Sequence, residues 1–398
     1  MFEFISAGGL GEAATDAGSG PGRDPAGDAD STAGVRLPSI CPSAAQSAGG
    51  AGAGVDAEPL LVQGARMRDA LLAELLALPG LEVVVADAGL VPLPTRFQPP
   101  SAASGGSAVR VLPTRGAGDL VDWLRTAAAE VDLAWVTAPE TDDILLQLCA
   151  AVLPARWIGC SADAIRLASS KTRTREQLAA RGLPVPPAWT PGQPERPDHG
   201  RWVLKPDDGA GGEHTRVFPS FAAARAAFEA ACGHAAAARG AGDRTSAPRW
   251  TLEAWVEGEA LSLSLLCTAG HCEVLSVNRQ RVAVAADGRL AYAGVDTGVE
   301  PPSPPLQALA ARVAAAVPGL AGFVGIDLVR QTDGRLCVIE INPRLTCAYA
   351  GLVETAHDDD DRSPALRGRN LAAEIIAAHD AALATPVTDT ADARTEHA

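Results

Sequence analysis

Apolar residues along the chain recur in two periods, and the alternation between them sketches a mixed α/β protein. The stretch LLVQGARMRDALLAELLALPG, from Leu60, has the three-and-four spacing of a helix, and LEVVVADAG after it is a compact strand. Residues 109–112 read as a strand, 118–129 as a helix, 132–137 as a strand and 142–153 as a helix. Strands alternating with helices predict a parallel, doubly wound sheet over residues 1–155, beginning with a buried strand at 2–7. Such a sheet gathers ligands at the carboxyl ends of its strands, where Gly8-Gly9 and Thr137-Ala138-Pro139-Glu140 fall. Ordinary turn chemistry accounts for those two segments equally well.

The pattern breaks twice. Residues 11–58 are rich in Ala, Gly, Ser and Asp and nearly lack large apolar side chains. Such a segment cannot bury enough surface to offset its ordering entropy, so a disordered insertion is expected there, with a disordered tail at 386–398. After residue 155 the parallel pattern gives way to a basic helix at 169–181 and to strands at 202–205 and 251–256, separated by a polar, Gly-rich linker near 239–249. A hairpin follows at 261–268 and 272–277, then a helix near 305–317, a strand pair at 325–329 and 336–341, and a helix at 370–383.

Composition narrows the function. At 398 residues with 47% apolar content, the chain can fill the cores of two or three domains. A net charge of −15 argues against a general nucleic-acid binder, yet does not exclude a phosphate ligand held by a few local cations. Part of that charge is the run at 358–361, which reads as a solvated loop. No apolar run approaches the roughly 20 residues of a membrane span. The start lacks the basic region of an export signal, which makes the cytoplasm the expected compartment. Eight scattered cysteines without a CxxC pair are expected to be reduced and mostly packed.

The chemistry concentrates in GFVGIDLVRQTDGRLCVIEINPRLT, residues 322–346, two apolar strands joined at Thr332-Asp333-Gly334. Asp327 interrupts the first strand and Glu340 the second, with Asn342 two residues on and therefore on the same face. Two carboxylates and an amide oxygen on neighbouring strands suit magnesium or manganese. A carboxylate inside an apolar strand is costly unless paired or metal-bound, and a solvated edge strand does not explain all three residues together. Arg344 projects to the same side, as a ligand for phosphate or carboxylate or as an ion-pair partner of Glu340.

A second group is VLKPDDGAGGEHT. There Lys205 ends a strand, and Gly209, Gly211 and Gly212 allow backbone N–H groups to approach phosphate oxygens. It is neither GxxxxGK[ST] nor GxGxxG, and on its own it is an ordinary Gly-rich turn. In the third group, TLEAWVEGEALSLSLL, the backbone of Ala254, Trp255 and Val256 is placed to read an adenine edge, and Glu253 and Glu259 flank it, Glu259 toward a ribose. Alone, this group is equally a surface strand–turn–strand.

The order of these motifs resembles the ATP-grasp superfamily: Lys171 in SSKTRT, Lys205 before a Gly-rich loop, the LEAWVEGE hinge, and GIDLV followed by IEINPR. The resemblance spans roughly residues 155–380 and implies an ATP-grasp fold of two α+β subdomains, at 156–248 and 249–385, behind an N-terminal α/β domain. It implies that Lys171 and Lys205 contact ATP phosphates and that Asp327, Glu340 and Asn342 bind the metal. One departure weakens the ribose assignment, because Gly258 is followed by Glu259 and then Ala260 rather than by two acidic residues.

FEFISAGG, LVQGARMRDALLAEL, SVNRQ and IEINPRLTCAYAGL add a narrower likeness, to the tyramine–L-glutamate ligases of methanofuran biosynthesis. That likeness implies γ-glutamyl amide formation from glutamate and an aromatic amine, tyramine or tyrosine, through an acyl phosphate. Arg279, Arg281 and Arg344 are then candidates for the acyl phosphate and the substrate carboxylate, though strand-end charges explain Arg279 and Arg281 as well. The loop 207–215 would close over the phosphates. Expected partners are small molecules, without nucleic acid or membrane, and a homodimer is the candidate assembly. The competing readings are an ATP-grasp ligase for other amino acids and a nucleotide-binding regulatory module without turnover.

Overall fold

The computed structural model describes residues 2–3, 57–97, 109–114, 119–194, 200–209, 211–240, 249–268, 271–357 and 366–384. The expected insertion at 11–58 (apart from its last two residues), Gly8-Gly9, the acidic run at 358–361 and the tail from 385 lie outside them.

The first part contains β1 (Phe2–Glu3), α1 (Ala57–Leu76), β2 (Val83–Asp87), β3 (Val109–Pro113), α2 (Leu120–Ala128), β4 (Ala134–Thr137), α3 (Ile144–Ala151), β5 (Trp157–Ile158) and α4 (Ala162–Ala168). All strand pairs here are parallel, but they form two ladders, β1-β4-β5 and β2-β3. Asp119 caps α2, accepting from the N–H groups of Val121 at 2.7 Å and Asp122 at 3.2 Å, so that helix starts at Leu120. Buried Glu74 fixes α1 by accepting from the first N–H groups of the C-terminal helix, Leu371 at 2.9 Å and Ala372 at 3.1 Å.

Next come α5 (Lys171–Ala180), β6 (Ala188–Trp189), β7 (Trp202–Pro206), β8 (Arg216–Phe218), α6 (Phe221–Gly240) and β9 (Trp250–Ala254). Their strands make an antiparallel sheet ordered β6-β9-β7-β8. α6 packs on it through an aromatic core in which Phe221 meets Trp189 and Trp202 edge-on at 5.7 Å and 4.9 Å. No sequence expectation covered α6, because its Ala-rich run lacks the polar stripe that marks a helix face.

The third part comprises β10 (Glu259–Thr268), β11 (His271–Val284), β12 (Leu290–Glu300), α7 (Pro304–Ala316), β13 (Gly322–Arg330), β14 (Leu336–Asn342), α8 (Ala348–His357) and α9 (Leu371–Ala384). Five antiparallel strands run β12-β11-β10-β13-β14. The period of two gives this sheet unlike faces. Leu261, Leu263 and Leu265 sit opposite Leu328, Ile326 and Val324, and all six are buried in a core shared with Leu306, Leu309 and Val313 of α7. On the other face Ser262 opposes Asp327 and Asn278, and Ser264 opposes Gly325 and Ser276.

The cysteine expectation needs one correction. Cys267 and Cys272 form a disulfide, while Cys149, Cys160, Cys232, Cys337 and Cys347 are free. The two bonded residues are direct cross-strand partners of the β10–β11 hairpin. A search for CxxC spacing passes over such a pair, because four residues separate the cysteines and the hairpin register brings the sulfurs together.

Candidate active site

The metal-type cluster forms where β13 and β14 pair. Asp327 lies opposite Glu340 and Gly325 opposite Asn342, so all three candidate ligands share the polar face. A bulge after that pair, where Leu328 takes Val338 as partner and passes over Ile339, keeps Glu340 and Asn342 on this face while Val338 returns to the core. The Asn342 amide donates Nδ2–H to Asp327 Oδ2 at 3.3 Å, leaving its oxygen as the acceptor.

Electrostatics separate the two carboxylates. Burial and the neighbouring Glu340 push Asp327 up to about 7 against hydrogen bonds from Gln280 and Asn342. For Glu340, burial is outweighed by Lys171, Lys205 and Arg344, which hold it below the usual carboxylate range. Among the described residues no cluster of three or more His, Cys, Asp and Glu exists, so the donor set is two carboxylates and one amide. All-oxygen donors with an under-compensated acidic member fit a hard divalent cation such as magnesium.

The cations come from helix α5 and from the β6-β9-β7-β8 sheet. Lys171 opens α5, whose start is tied down by Asp207 at the root of the Gly-rich loop. Asp207 accepts from Ser170 Oγ at 2.6 Å and from Thr172 N at 2.8 Å, and its carbonyl takes Lys171 N–H at 2.9 Å. From there Lys171 Nζ reaches Glu340 Oε2 at 3.3 Å and the Gly209 carbonyl. Burial tends to lower this ammonium, but Glu340, Glu140 and Glu253 outweigh it and hold it above the ordinary lysine range. Lys205 Nζ meets Glu253 Oε2 at 2.8 Å, both side chains almost fully buried. In the β7–β9 register Val203 faces Glu253 and Lys205 faces Thr251, so the pair is a same-face diagonal. Gly211 and Gly212 have φ of +65° and +76°, a conformation that favours glycine and turns the loop back toward β8.

At the hinge, Ala254 N donates to the Pro187 carbonyl at 2.8 Å and Trp255 N to the Arg201 carbonyl at 2.9 Å. Edge recognition of a base would therefore fall to Val256 and to carbonyl groups. Glu259 is gripped by Arg330 at 2.6 Å and Arg279 at 2.7 Å, and these hydrogen bonds hold its carboxyl below the usual range. Arg281 pairs with Asp296 and donates to the Ala293 carbonyl at 3.3 Å. Between the arms, Gly258 has φ +153°, and a Cβ there would overlap the Arg330 carbonyl oxygen and come within 2.7 Å of Val329 Cγ1. Gly258→Ala is expected to cost about 1–3 kcal/mol through this overpacking, read as a lowered unfolding midpoint.

Arg344 does not bond Glu340. It makes a two-pronged pair with Glu140, at 3.0 Å and 2.9 Å, linking the β13–β14 hairpin to the end of β4. Asp142, two residues on, donates its N–H to Asp208 of the Gly-rich loop at 3.2 Å. Both Asp142 and Asp143 hold positive φ, at +53° and +57°. The strand-end segment 137–140 is thus in contact with the site, where its sequence left a strand-end contact and an ordinary turn equally open. Gln280 and the buried Ser262–Ser264–Asn278 row were given no role beforehand, although SVNRQ contains two of them and the period-two polar residues of LSLSLL carry the signal.

Residues 168–348 match the ATP-grasp domain family, and residues 89–165 match the pre ATP-grasp 3 domain family. The chain carries an ATP-grasp domain. It is 26% identical over 225 residues to the tyramine–L-glutamate ligase of Methanocaldococcus jannaschii, a match covering 56% of this chain and 58% of that one. The chain therefore spans less than two thirds of the length of that relative. An L-amino acid ligase from Bacillus licheniformis has a similar fold, with a TM-score of 0.54 at 16% identity, covering 78% of this chain and 71% of that one. A putative ATP-grasp superfamily protein from Archaeoglobus fulgidus gives a TM-score of 0.50 at 20% identity, covering 80% and 82%. These two likenesses bear on the fold alone. With a pre-ATP-grasp domain ahead of it, the ATP-grasp domain accounts for the mixed α/β architecture. Among the described residues no helix is long and apolar enough to cross a membrane.

Proposed function

We propose that this protein is an ATP-dependent ligase that joins a carboxylate to an amine, with L-glutamate as the acid and an aromatic amine such as tyramine as the acceptor. The observation that carries the reading is the convergence of Lys171, reaching Glu340 at 3.3 Å, with the Asp327–Asn342 pair and the Gly-rich loop on one polar face. The choice of substrates is supported by the similarity to the Methanocaldococcus jannaschii ligase and by the shared motifs.

In this reading Lys171, Lys205 and the loop 207–215 bind the triphosphate, and Val256 with Ala254 and Trp255 seats the base. Glu253 holds Lys205 in place, and Glu259 acts on the ribose through its arginine-ordered carboxylate. Asp327, Glu340 and Asn342 would hold a divalent cation, which supplies charge neutralisation on the phosphates. A substrate carboxylate oxygen attacks the γ-phosphorus, the bond to the β-phosphate oxygen breaks, and ADP leaves with the bonding pair. The amine nitrogen then attacks the acyl carbon, inorganic phosphate departs, and the amine gives up a proton. Arg344, paired with Glu140, would steady the acyl phosphate and the tetrahedral oxyanion, and Arg281 and Arg279 are the candidates for the substrate carboxylate. Closing the loop excludes water, which would otherwise hydrolyse the acyl phosphate.

The test is phosphate release with L-glutamate against a panel of amines, followed by product mass. Amine-dependent release with tyramine or tyrosine, and a product lighter than its substrates by one water, is the expected result. Release with none of the amines, on a protein that binds ATP, would overturn the ligase reading.

A further inference from the structure

The β11–β12 hairpin runs beyond the sheet it belongs to. The ladder of β10 with β11 ends at the Leu261–Arg279 pair, and from Gln280 onward β11 pairs with β12 alone. A bare two-stranded ribbon is only marginally stable in water, so its position is set by what it docks on. Side chains alternate along it: Val282, Leu290 and Tyr292 are half-buried on one face, while Ala283, Arg289 and Ala291 are exposed on the other.

The tip of this ribbon docks on β8, the edge strand of the β6-β9-β7-β8 sheet and the strand into which the Gly-rich loop runs. Val217 N donates to the Gly288 carbonyl at 2.7 Å and Leu290 N to the Thr215 carbonyl at 3.0 Å, on either side of an antiparallel bridge between Arg216 and Arg289. Arg216 Nε adds a bond to the Asp287 carbonyl at 2.8 Å. The approach is close. Gly288 has φ +86°, and a Cβ there would lie 2.3 Å from the Val217 carbonyl oxygen. A Cβ on Gly212 of the loop would come within 3.3 Å of Leu290 Cδ2. The start of the loop is tied down separately, Asp207 by Thr172 N–H and Asp208 by Asp142 N–H.

We infer that the β11–β12 tip is a strap on the Gly-rich loop, and that undocking the Arg216–Arg289 bridge gates the passage of nucleotide beneath it. The inference rests on the reading of that loop as the phosphate lid. Docked, the strap fixes the end of the loop through β8 and lays Leu290 against Gly212, which keeps water from the loop at that point. The contact is three hydrogen bonds between partly exposed segments, so it opens as a local unit without unfolding either sheet.

Arg216 and Arg289 form a narrow cross-strand pair, flanked by hydrogen bonds rather than joined by them, a geometry that sets Cα atoms about 4.5 Å apart and suits a disulfide. Release of a fluorescent, non-hydrolysable ATP analogue from the full chain, with magnesium and an ATP chase, reads the strap without turnover. Oxidised Arg216→Cys/Arg289→Cys, its crosslink confirmed by mass, is expected to release the analogue at least about tenfold more slowly than the same variant reduced. Gly288→Ala, whose Cβ blocks docking, is expected to release it at least about tenfold faster than wild type, because losing two hydrogen bonds costs about that factor. Gly334→Ala, at a turn glycine of similar φ with open space around it, should behave as wild type. Wild-type protein with and without reductant controls for Cys267–Cys272. Failure of the two introduced thiols to crosslink, or release rates indifferent to the crosslink or to Gly288→Ala, would overturn the strap. An analogue that wild type does not bind removes nucleotide from under the loop and sinks both readings. Otherwise amide formation separates them. Strap-dependent release in a protein that forms no amide with any amine sinks the ligase alone, whereas amide formation with crosslink-indifferent release sinks the strap alone.

Discussion

Glu340→Gln is expected to lower ATP turnover on the order of 10³-fold while the protein stays folded. The substitution keeps the volume and the hydrogen-bonding capacity of the side chain but removes a negative charge. That charge does two things: it is one of two carboxylates facing the metal-type position, and it holds Lys171 at 3.3 Å. Without it the donor set falls to one carboxylate and two amides, which binds a hard cation far less tightly. The fold should tolerate the change. Burial and Glu340 together hold Asp327 up near 7, so removing Glu340 relieves Asp327 even as Lys171 loses its ion-pair partner. Nucleotide binding should weaken less than turnover, because Lys171, Lys205 and the Gly-rich loop remain. ADP formation at saturating magnesium, alongside a thermal unfolding curve, measures both. Turnover within tenfold of wild type in a folded variant would remove Glu340 from the ligand set.

That prediction was legible in the sequence because hairpin chemistry is local. Thr332-Asp333-Gly334 sets the turn and the period of two sets the faces, so Asp327, Glu340 and Asn342 could be placed together without a tertiary contact. Lys205 was legible for a similar reason, ending a strand just before glycines. The distant pairings were not. Arg344 and Glu140 stand 204 residues apart, and nothing in INPR indicates that its arginine meets a carboxylate at the end of β4. Glu259 looked like a ribose ligand from its place after the hinge glycine, but only the register of β10 with β11 and β13 brings Arg279 and Arg330 onto it. α6 and β12 went unseen because alanine repeats and a Gly-interrupted strand carry little periodic signal. The Cys267–Cys272 bond escaped for a different reason: its CxxxxC spacing falls outside a CxxC search, and only the register of the hairpin pairs the two sulfurs.

The Lys205–Glu253 pair allows stability and nucleotide binding to be separated. Lys205→Met leaves Glu253, 2% exposed, as an uncompensated buried charge, and should cost about 3–5 kcal/mol of unfolding free energy. The double variant Lys205→Met/Glu253→Leu removes both charges and fills the space with apolar atoms. Replacing a buried ion pair this way is often neutral or stabilising by about 1–4 kcal/mol, so the double variant should recover most of the loss. ATP affinity should not recover with it. If Lys205 supplies a phosphate contact, both variants lack that ammonium and should bind ATP at least about tenfold more weakly, since a charge-assisted hydrogen bond in a desolvated site contributes about 1.5–3 kcal/mol. Denaturant unfolding reads the first quantity and calorimetric ATP titration the second. A double variant that regains both stability and ATP binding would make the pair a structural element only and shift the phosphate-binding role to Lys171 and the glycine loop. Recovery of stability alone ties the buried lysine to the nucleotide, with Glu253 as the counter-charge that keeps it in place until phosphate arrives.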